Sequence, residues 1–402
     1  MSSPARDLIA DRNFRGFWVA QTCLAGINGT MRFTFVWLVV TLTDWSAAEG
    51  IVAGLLGLPA MLFSAAAGAW SDRVDRKRMF DVWTIASVLL LVGFTVMIAA
   101  GVATPFLTGF AAVLVGTTVM VNPPNLNAMV PLLVAPERLL NAIALQNGAM
   151  QAANFAAVIL AGIAIEFLGD AGGFALLAGL AIASYTAMRP VRVPTSGAPS
   201  PTETFGQSLR AGMRYAASTE PVRTMLLLAL VLGSSFSVMQ INMPRVVESD
   251  FGRDAASAGA VMGAFGVGMM LSSVYVANRG FGRHGWNVAI FIGVGLGGGQ
   301  FLLSLAPSWT AAVAVMLGWG VNAGLAMASH RTLLQQATAP EMMGRVMGLM
   351  MTGFMGGLPI GAAVSSLLSV AVGPAETMTV VGLGTIVLAG ALSWRPSIVR
   401  LV

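Results

Sequence analysis

Residues 68–79 read GAWSDRVDRKRM. Six charges, Asp72, Arg73, Asp75, Arg76, Lys77 and Arg78, fall within seven positions of a chain that is 10% charged and 56% hydrophobic. What this cluster means depends on the solvent around the rest of the chain. A mean hydropathy of +0.79 is far above what a water-soluble globule carries, because a soluble surface must be covered by polar groups that are missing here. The chain is therefore read as a bilayer protein, and the cluster as one of its short polar connections.

The 402 residues have room for about a dozen spans of roughly 20 apolar residues each, with no separate soluble domain. Segments free of sustained charge run over 16–42, 49–71, 79–101, 105–132, 139–168, 170–188, 222–246, 255–278, 286–306, 309–330, 344–371 and 375–394. Backbone amides in hydrocarbon must be satisfied within the segment, so runs of this length predict helices. Barrel strands would be about ten residues long and alternate in polarity. The expected fold is an all-α membrane protein of twelve transmembrane helices.

An even number of spans puts both termini on one side. Of the 22 Lys and Arg residues, only Arg245 and Arg253 fall in connections on the opposite side, and only Arg32 lies inside a span. That asymmetry predicts cytoplasmic termini. Asp44, Glu49, Glu166, Asp170, Glu248, Asp250, Asp254 and Glu376 are placed outside. The N-terminus, MSSPARDLIADRNFRGFW, is too charged for a cleavable signal peptide. A pI near 10.3 would suggest nucleic acid in a soluble protein, but here the basic residues set topology, and no nucleic-acid partner is expected.

The polar stretch 189–221 divides the chain into an N-terminal bundle, 1–188, and a C-terminal bundle, 222–402. Its second half, Phe205 to Ala217, predicts an amphipathic surface helix on the cytoplasmic side. The halves repeat. APERLLNAIAL from Ala135 and APEMMGRVMGL from Ala339 are displaced by 204 residues, SDR at Ser71 recurs as ANR at Ala277, and Arg15 recurs as Arg223 at 208. Such offsets at equivalent positions predict two pseudo-symmetric six-helix bundles.

With these residues in view, the opening stretch resembles the signature of the major facilitator superfamily: glycine, two variable positions, a small residue, Asp-Arg, then a basic run. Asp75 stands where the family usually has glycine. DRNFRGFWVAQT, WLVVTLT and APEMMGRVMGL resemble the drug and siderophore (enterobactin-type) exporter branch, and the resemblance covers essentially 1–394. It implies the major facilitator fold, a bacterial inner-membrane location, and a monomer that works by alternating access. It also implies a conformational latch of Gly68, Asp72, Arg73, Arg76 and Arg345, in which the Asp72 carboxylate faces the amino end of span eleven and pairs with an arginine. A loop demanded by topology alone would not need that acid. In the second copy Asn278 stands in its place, so that latch is expected to be weaker.

Arg32 is the sharpest oddity. A cation at a helix centre costs about 2.5–3.5 kcal/mol on insertion scales, so it should face the bundle interior, either as a structural hydrogen-bonding residue or as a partner for an anionic group of the cargo. Asn28 lies one turn earlier on the same face. Asn147, Gln151 and Asn154 form one stripe on span five, either gluing helices or lining a wet cavity. Gln240, displaced by 208 from Arg32, is its counterpart in span seven. Pro123 and Pro124 in VNPPNLN predict a kink or a span terminus. The glycines of span eleven predict close packing and bending.

Nothing suggests catalysis. His284 and His330 are isolated, no metal-ligand cluster or Walker lysine motif occurs, and Cys23 is the only cysteine. No cofactor is expected, and without an ATP site an ion gradient, a proton gradient for instance, or a substrate gradient must drive any transport. The sequence therefore predicts a secondary transporter that exports a small amphipathic organic compound. The alternatives are an importer or facilitator, and a transporter-like receptor that binds without turnover.

Overall fold

The computed structural model describes residues 8–45, 47–58, 75–135, 138–193, 205–279, 287, 290–395 and 398. Secondary structure in these residues is helical. In chain order the helices are α1 (Arg12–Leu42), α2 (Ala47–Leu58), α3 (Arg76–Ala99), α4 (Pro105–Leu133), α5 (Leu139–Leu168), α6 (Asp170–Met188) and α7 (Phe205–Ser218). They continue with α8 (Glu220–Ser249), α9 (Ala255–Arg279), α10 (Gly295–Ser304), α11 (Trp309–Gln336), α12 (Met343–Val372) and α13 (Pro374–Ser393). Among the described residues ten of these are long and apolar enough to cross a membrane, and the shorter α2 and α10 fall within the second and ninth apolar segments.

Helix ends follow local chemistry. Asp75, the departure from the family glycine, caps α3 by accepting from Arg78 N at 2.8 Å, and Ser308 caps α11 by accepting from Ala311 N at 3.3 Å. The proline pair of span four neither ends nor begins a helix: α4 runs through Pro123 and Pro124 to Leu133, which excludes the terminus and leaves the kink of the two roles expected there. The flanking amides are buried and bonded to α3, Asn122 Nδ2 donating to Thr84 Oγ1 at 3.2 Å and Asn125 Nδ2 to Arg76 O at 2.8 Å. These two bonds tie the proline stretch of α4 to α3.

The chain forms two compact units. The first comprises Met1–Leu42 and Leu55–Pro201, the second Thr43–Gly54 and Thr202–Val402. In the first, α1 packs on α5 and α6, and α3 on α4 and α6; in the second, α8 packs on α12 and α13, and α10 on α11 and α13. These are the same pairings between corresponding spans. Correspondence extends to backbone angles. α5 and α12 are each 30 residues long, start after Arg138 and Met342 with the same φ and ψ, and end at Gly169 (φ 67°) and Gly373 (φ 95°). Both ends are displaced by 204 residues, like the two APE motifs, and each glycine occupies the left-handed region that side chains avoid. The repeat seen as short motifs is a repeat of structure.

Each unit has its own core. In the first, Phe35, Phe94 and Phe174 bring α1, α3 and α6 together, with ring centroids 4.8 to 5.9 Å apart. In the second, Gly357 and Gly361 of α12 lie directly against the backbone of α8 at Leu230 and Ser234, and Gly233 of α8 against Phe354 O. This is the close packing expected of the span-eleven glycines, whereas Gly348 and Gly356 face open space. The linker helix α7 buries Gly212 and Ala216, exposes Arg210 and Arg214, and accepts Ala339 N on Tyr215 Oη at 3.0 Å, which seats it beside the start of α12.

Candidate functional site

The polar residues of the first unit are positioned by the contact between α1 and α5. Gly29 has no Cβ to hold the helices apart and meets the Asn154 backbone; one turn earlier Gly26 meets Ala157 and Ala153. Asn28, beside Gly29, is half-buried and donates through Nδ2 to Leu24 O at 3.0 Å, while its Oδ1 is buried without a donor among the described residues. Arg32, one turn on, is only 9% exposed. On α5, Asn154 Nδ2 donates to Gln151 Oε1 at 3.3 Å, with Asn154 half-buried and Gln151 exposed. The helix contact therefore sets the Asn154 backbone against Gly29, the residue after Asn28, and Gln151 is joined to Asn154. The side chain of Asn147 lies outside the described residues.

A second cluster continues the first; the sequence places Gln146 beside the span-five stripe, but sequence reasoning missed Gln21. Gln21 is buried, donates through Nε2 to Asn127 Oδ1 on α4 and meets Met150 Sδ on α5, both at 3.4 Å, and leaves Oε1 without a donor among the described residues. Gln146, one turn before Met150, is likewise buried with an unpartnered Oε1. The missed signal is spacing: Gln21, Asn28 and Arg32 stand at i, i+7 and i+11, one stripe of a helix. Unpaired acceptor oxygens along this stripe would suit a donor-bearing ligand or water, since a buried polar atom without a partner costs about 1–3 kcal/mol.

In the second unit Gln240 is half-buried on α8, beside the buried Met239. Its neighbours bond within the unit, Ser235 Oγ donating to Gln300 Oε1 and Asn242 Nδ2 to Ser365 Oγ, each at 2.7 Å, while Asn242 Oδ1 and Gln300 Nε2 are buried without a partner among the described residues. Gly68, Asp72 and Arg73 of the expected latch lie outside the described residues. Arg76 is the first residue of α3, and Arg345 sits in the first turn of α12, half-buried, with Cβ against Gly212 of α7.

Two residues that the sequence places at the exterior ends of spans are buried. Glu49 is 1% exposed on α2 and Arg245 8% exposed on α8, and they form an ion pair at 2.7 Å. Among the described residues no group of three metal-binding side chains converges.

A chain of apolar helices in two repeated units, with polar residues on the interior stripe of the first helix, is the frame of a membrane transporter. Residues 17–362 match the family model described as Major Facilitator Superfamily, and the chain belongs to that superfamily. No curated protein matches it in sequence. Among solved structures it is similar to a mutant of the nucleoside transporter NupG, with 15% identity and a TM-score of 0.75 over 94% of this chain and 99% of that one. It is also similar to a bacterial homolog of the human lysosomal transporter Spinster in an inward-facing, unoccupied conformation, at 14% identity and a TM-score of 0.74 over 100% of this chain and 98% of that one. An auto-inhibited peptide transporter of the POT family aligns at 12% identity and a TM-score of 0.70, over 98% and 100%. At these identities the likeness is one of fold.

Proposed function

We propose that the chain is a secondary active transporter that exports a small amphipathic organic compound, drug-like or siderophore-like, across the bacterial inner membrane by alternating access. The observation that carries this reading is the interior stripe of α1, where Arg32 is buried and Asn28 Oδ1, one residue before the Gly29 contact with Asn154, has no donor among the described residues. A guanidinium presents a planar fork of donors to carboxylate, catecholate or phosphate oxygens, which makes an anionic or polyhydroxylated cargo the natural counterpart. Asn147, Gln151 and Asn154 would add amide contacts, and Gln240 would do the same from the second unit. The direction of transport rests on the resemblance of DRNFRGFWVAQT and APEMMGRVMGL to the exporter branch. Asp72 with Arg73, Arg76 and Arg345 would bias the cycle as a cytoplasmic latch.

The test is counterflow in proteoliposomes with catecholate siderophores and amphipathic dyes, followed by uptake into inside-out vesicles. Exchange with accumulation in inside-out vesicles is the expected result. Saturable binding without exchange would make the chain a receptor. Exchange without such accumulation would make it an importer or facilitator.

A further inference from the structure

The segment Thr43–Gly54 belongs to the second unit, although it connects α1 to α2 and forms the first turns of α2. Its attachment is charged. Near the end of α8, Arg245 donates through Nε to Glu49 Oε1 and through Nη2 to Thr43 O, each at 2.7 Å. Beside this pair Gly50 lies against Ser366 Oγ and Ala362 O of α12 so closely that no Cβ would fit. Glu49 is the only fully buried acid among the described residues. A third charge sits nearby: Glu248, one turn beyond Arg245 on α8, has Oε2 3.7 Å from Nη1, and its side chain is 43% exposed.

We propose that Glu49 is a proton-binding site, and that a proton taken up there releases segment 43–54 from the second unit while Arg245 transfers to Glu248. Of the two partners only the carboxylate can change charge, because arginine stays protonated. When an O–H bond forms on Glu49, its carbonyl oxygen can still accept from Arg245 but the negative charge is gone, so the ion pair is reduced to ordinary hydrogen bonds to Glu49 and to Thr43 O. Stripping a buried cation of its counter-ion is ordinarily costly enough to keep such a pair closed. Glu248 removes that obstacle by offering a second carboxylate on Arg245's own helix, within reach of a side-chain rotation. The proton comes from the aqueous phase that Glu248 faces and returns there when the pair re-forms. Of the other groups around the segment, Ser366 and Ala362 of α12 do not titrate, and Asp44 in the connection is exposed. The inference rests on the transporter reading in one respect: it makes the proton the coupling ion and the outer connection the part that answers to it.

The experiment uses the full chain in liposomes with Cys23→Ser and nitroxides at Trp45→Cys and Thr310→Cys, both exposed positions of the second unit. Pulsed spin–spin distances are read as the pH falls from about 8 to about 5, a window in which a desolvated carboxylate titrates. A longer-distance population should grow about fivefold or more on acidification. Glu49→Gln, which keeps the shape without the charge, should show that population at both pH values. Glu248→Gln, which removes the alternative partner, should move its onset to lower pH. If Glu49→Gln does not fold, Arg245→Gln reads the same release from the other side of the pair. A wild-type distribution that ignores pH, or a Glu49→Gln distribution that follows pH as the wild type does, overturns the proposal. The readout needs no cargo, so a chain that responds to pH yet exchanges no compound would sink the transport reading and leave the proton site standing.

Discussion

The contact of α1 with α5 and that of α8 with α12 are the same contact in two copies, yet they differ in the side-chain hydrogen bonds that cross them. In the second unit Ser234 Oγ donates to Gly357 O at 3.0 Å, and Asn242 Nδ2 to Ser365 Oγ at 2.7 Å, so the hydrogen bonds cross the helix pair and close it. In the first unit Asn28 and Asn154 each bond to their own helix while Gln21 reaches across to Met150 Sδ, and among the described residues oxygens of Asn28, Gln21 and Gln146 are left without donors, as Asn242 Oδ1 is in the second. The same scaffold thus carries different side-chain bonds in its two copies, and the proposed site is read on the copy whose crossing bond ends on a sulfur.

The harshest way to break the comparison is to attack what both copies share. Gly29→Leu and Gly357→Leu each push a side chain into a facing backbone and should cost about 3 kcal/mol, enough to remove the monodisperse peak in size exclusion. Gly148→Ala, with nothing near its added carbon, should leave that peak unchanged.

Next comes the difference itself. Arg32→Gln should lose about 1.5–3 kcal/mol of cargo binding, roughly a ten- to hundredfold weakening, with little change in melting temperature. Arg32→Lys should fall between that variant and the wild type, keeping the charge but not the planar fork. Normal affinity per folded molecule in Arg32→Gln would remove it from the site. Asn242→Val should do the reverse, lowering stability by about 1 kcal/mol in a thermal melt while binding per folded molecule is retained. If the two variants behave alike, the two copies are not specialised.

The smallest effect is local and depends on pH. Asp254 caps α9, accepting from Ser257 N at 2.7 Å, and the hydrogen bonds from Ser257 hold its carboxyl below the usual range. A depressed folded value means that the stabilisation is present above the unfolded pKa, about 3.9, and fades as the pH drops through the folded value. Asp254→Ala should therefore lower the melting temperature at neutral pH by the equivalent of about 1 kcal/mol, and the gap from wild type should narrow in acid.

How much of this could be read from sequence depended on whether the signal was periodic. The spacing of Asn28 and Arg32, and of Gln151 and Asn154, is a helical period, so their shared faces were visible. The offset of 204 was equally visible, and Gly169 and Gly373 show that it reaches the backbone. Glu49 and Arg245 were not visible as a pair. They are 196 residues apart, and each sits near a span end, where a charge reads as a topology signal. Pro123 and Pro124 left a kink and a terminus both open for a related reason. A missing donor is a local property, whereas the support from Asn122 and Asn125 against α3 is tertiary.

The division of α2, whose first turns go with the second unit and whose last turn goes with the first, bears on how the protein can be cut. If 1–201 and 202–402 were produced as separate polypeptides, the fragments would not be equivalent. The N-terminal fragment would keep both sides of its aromatic cluster and of its α1 contacts. The C-terminal fragment would carry Arg245 with a vacant seat opposite, and beside it the bare Ser366 and Ala362 surface that Gly50 fills in the intact chain. It would then need the other fragment's outer connection as a cofolding ligand, so that reassembly of a split protein would begin at that seat.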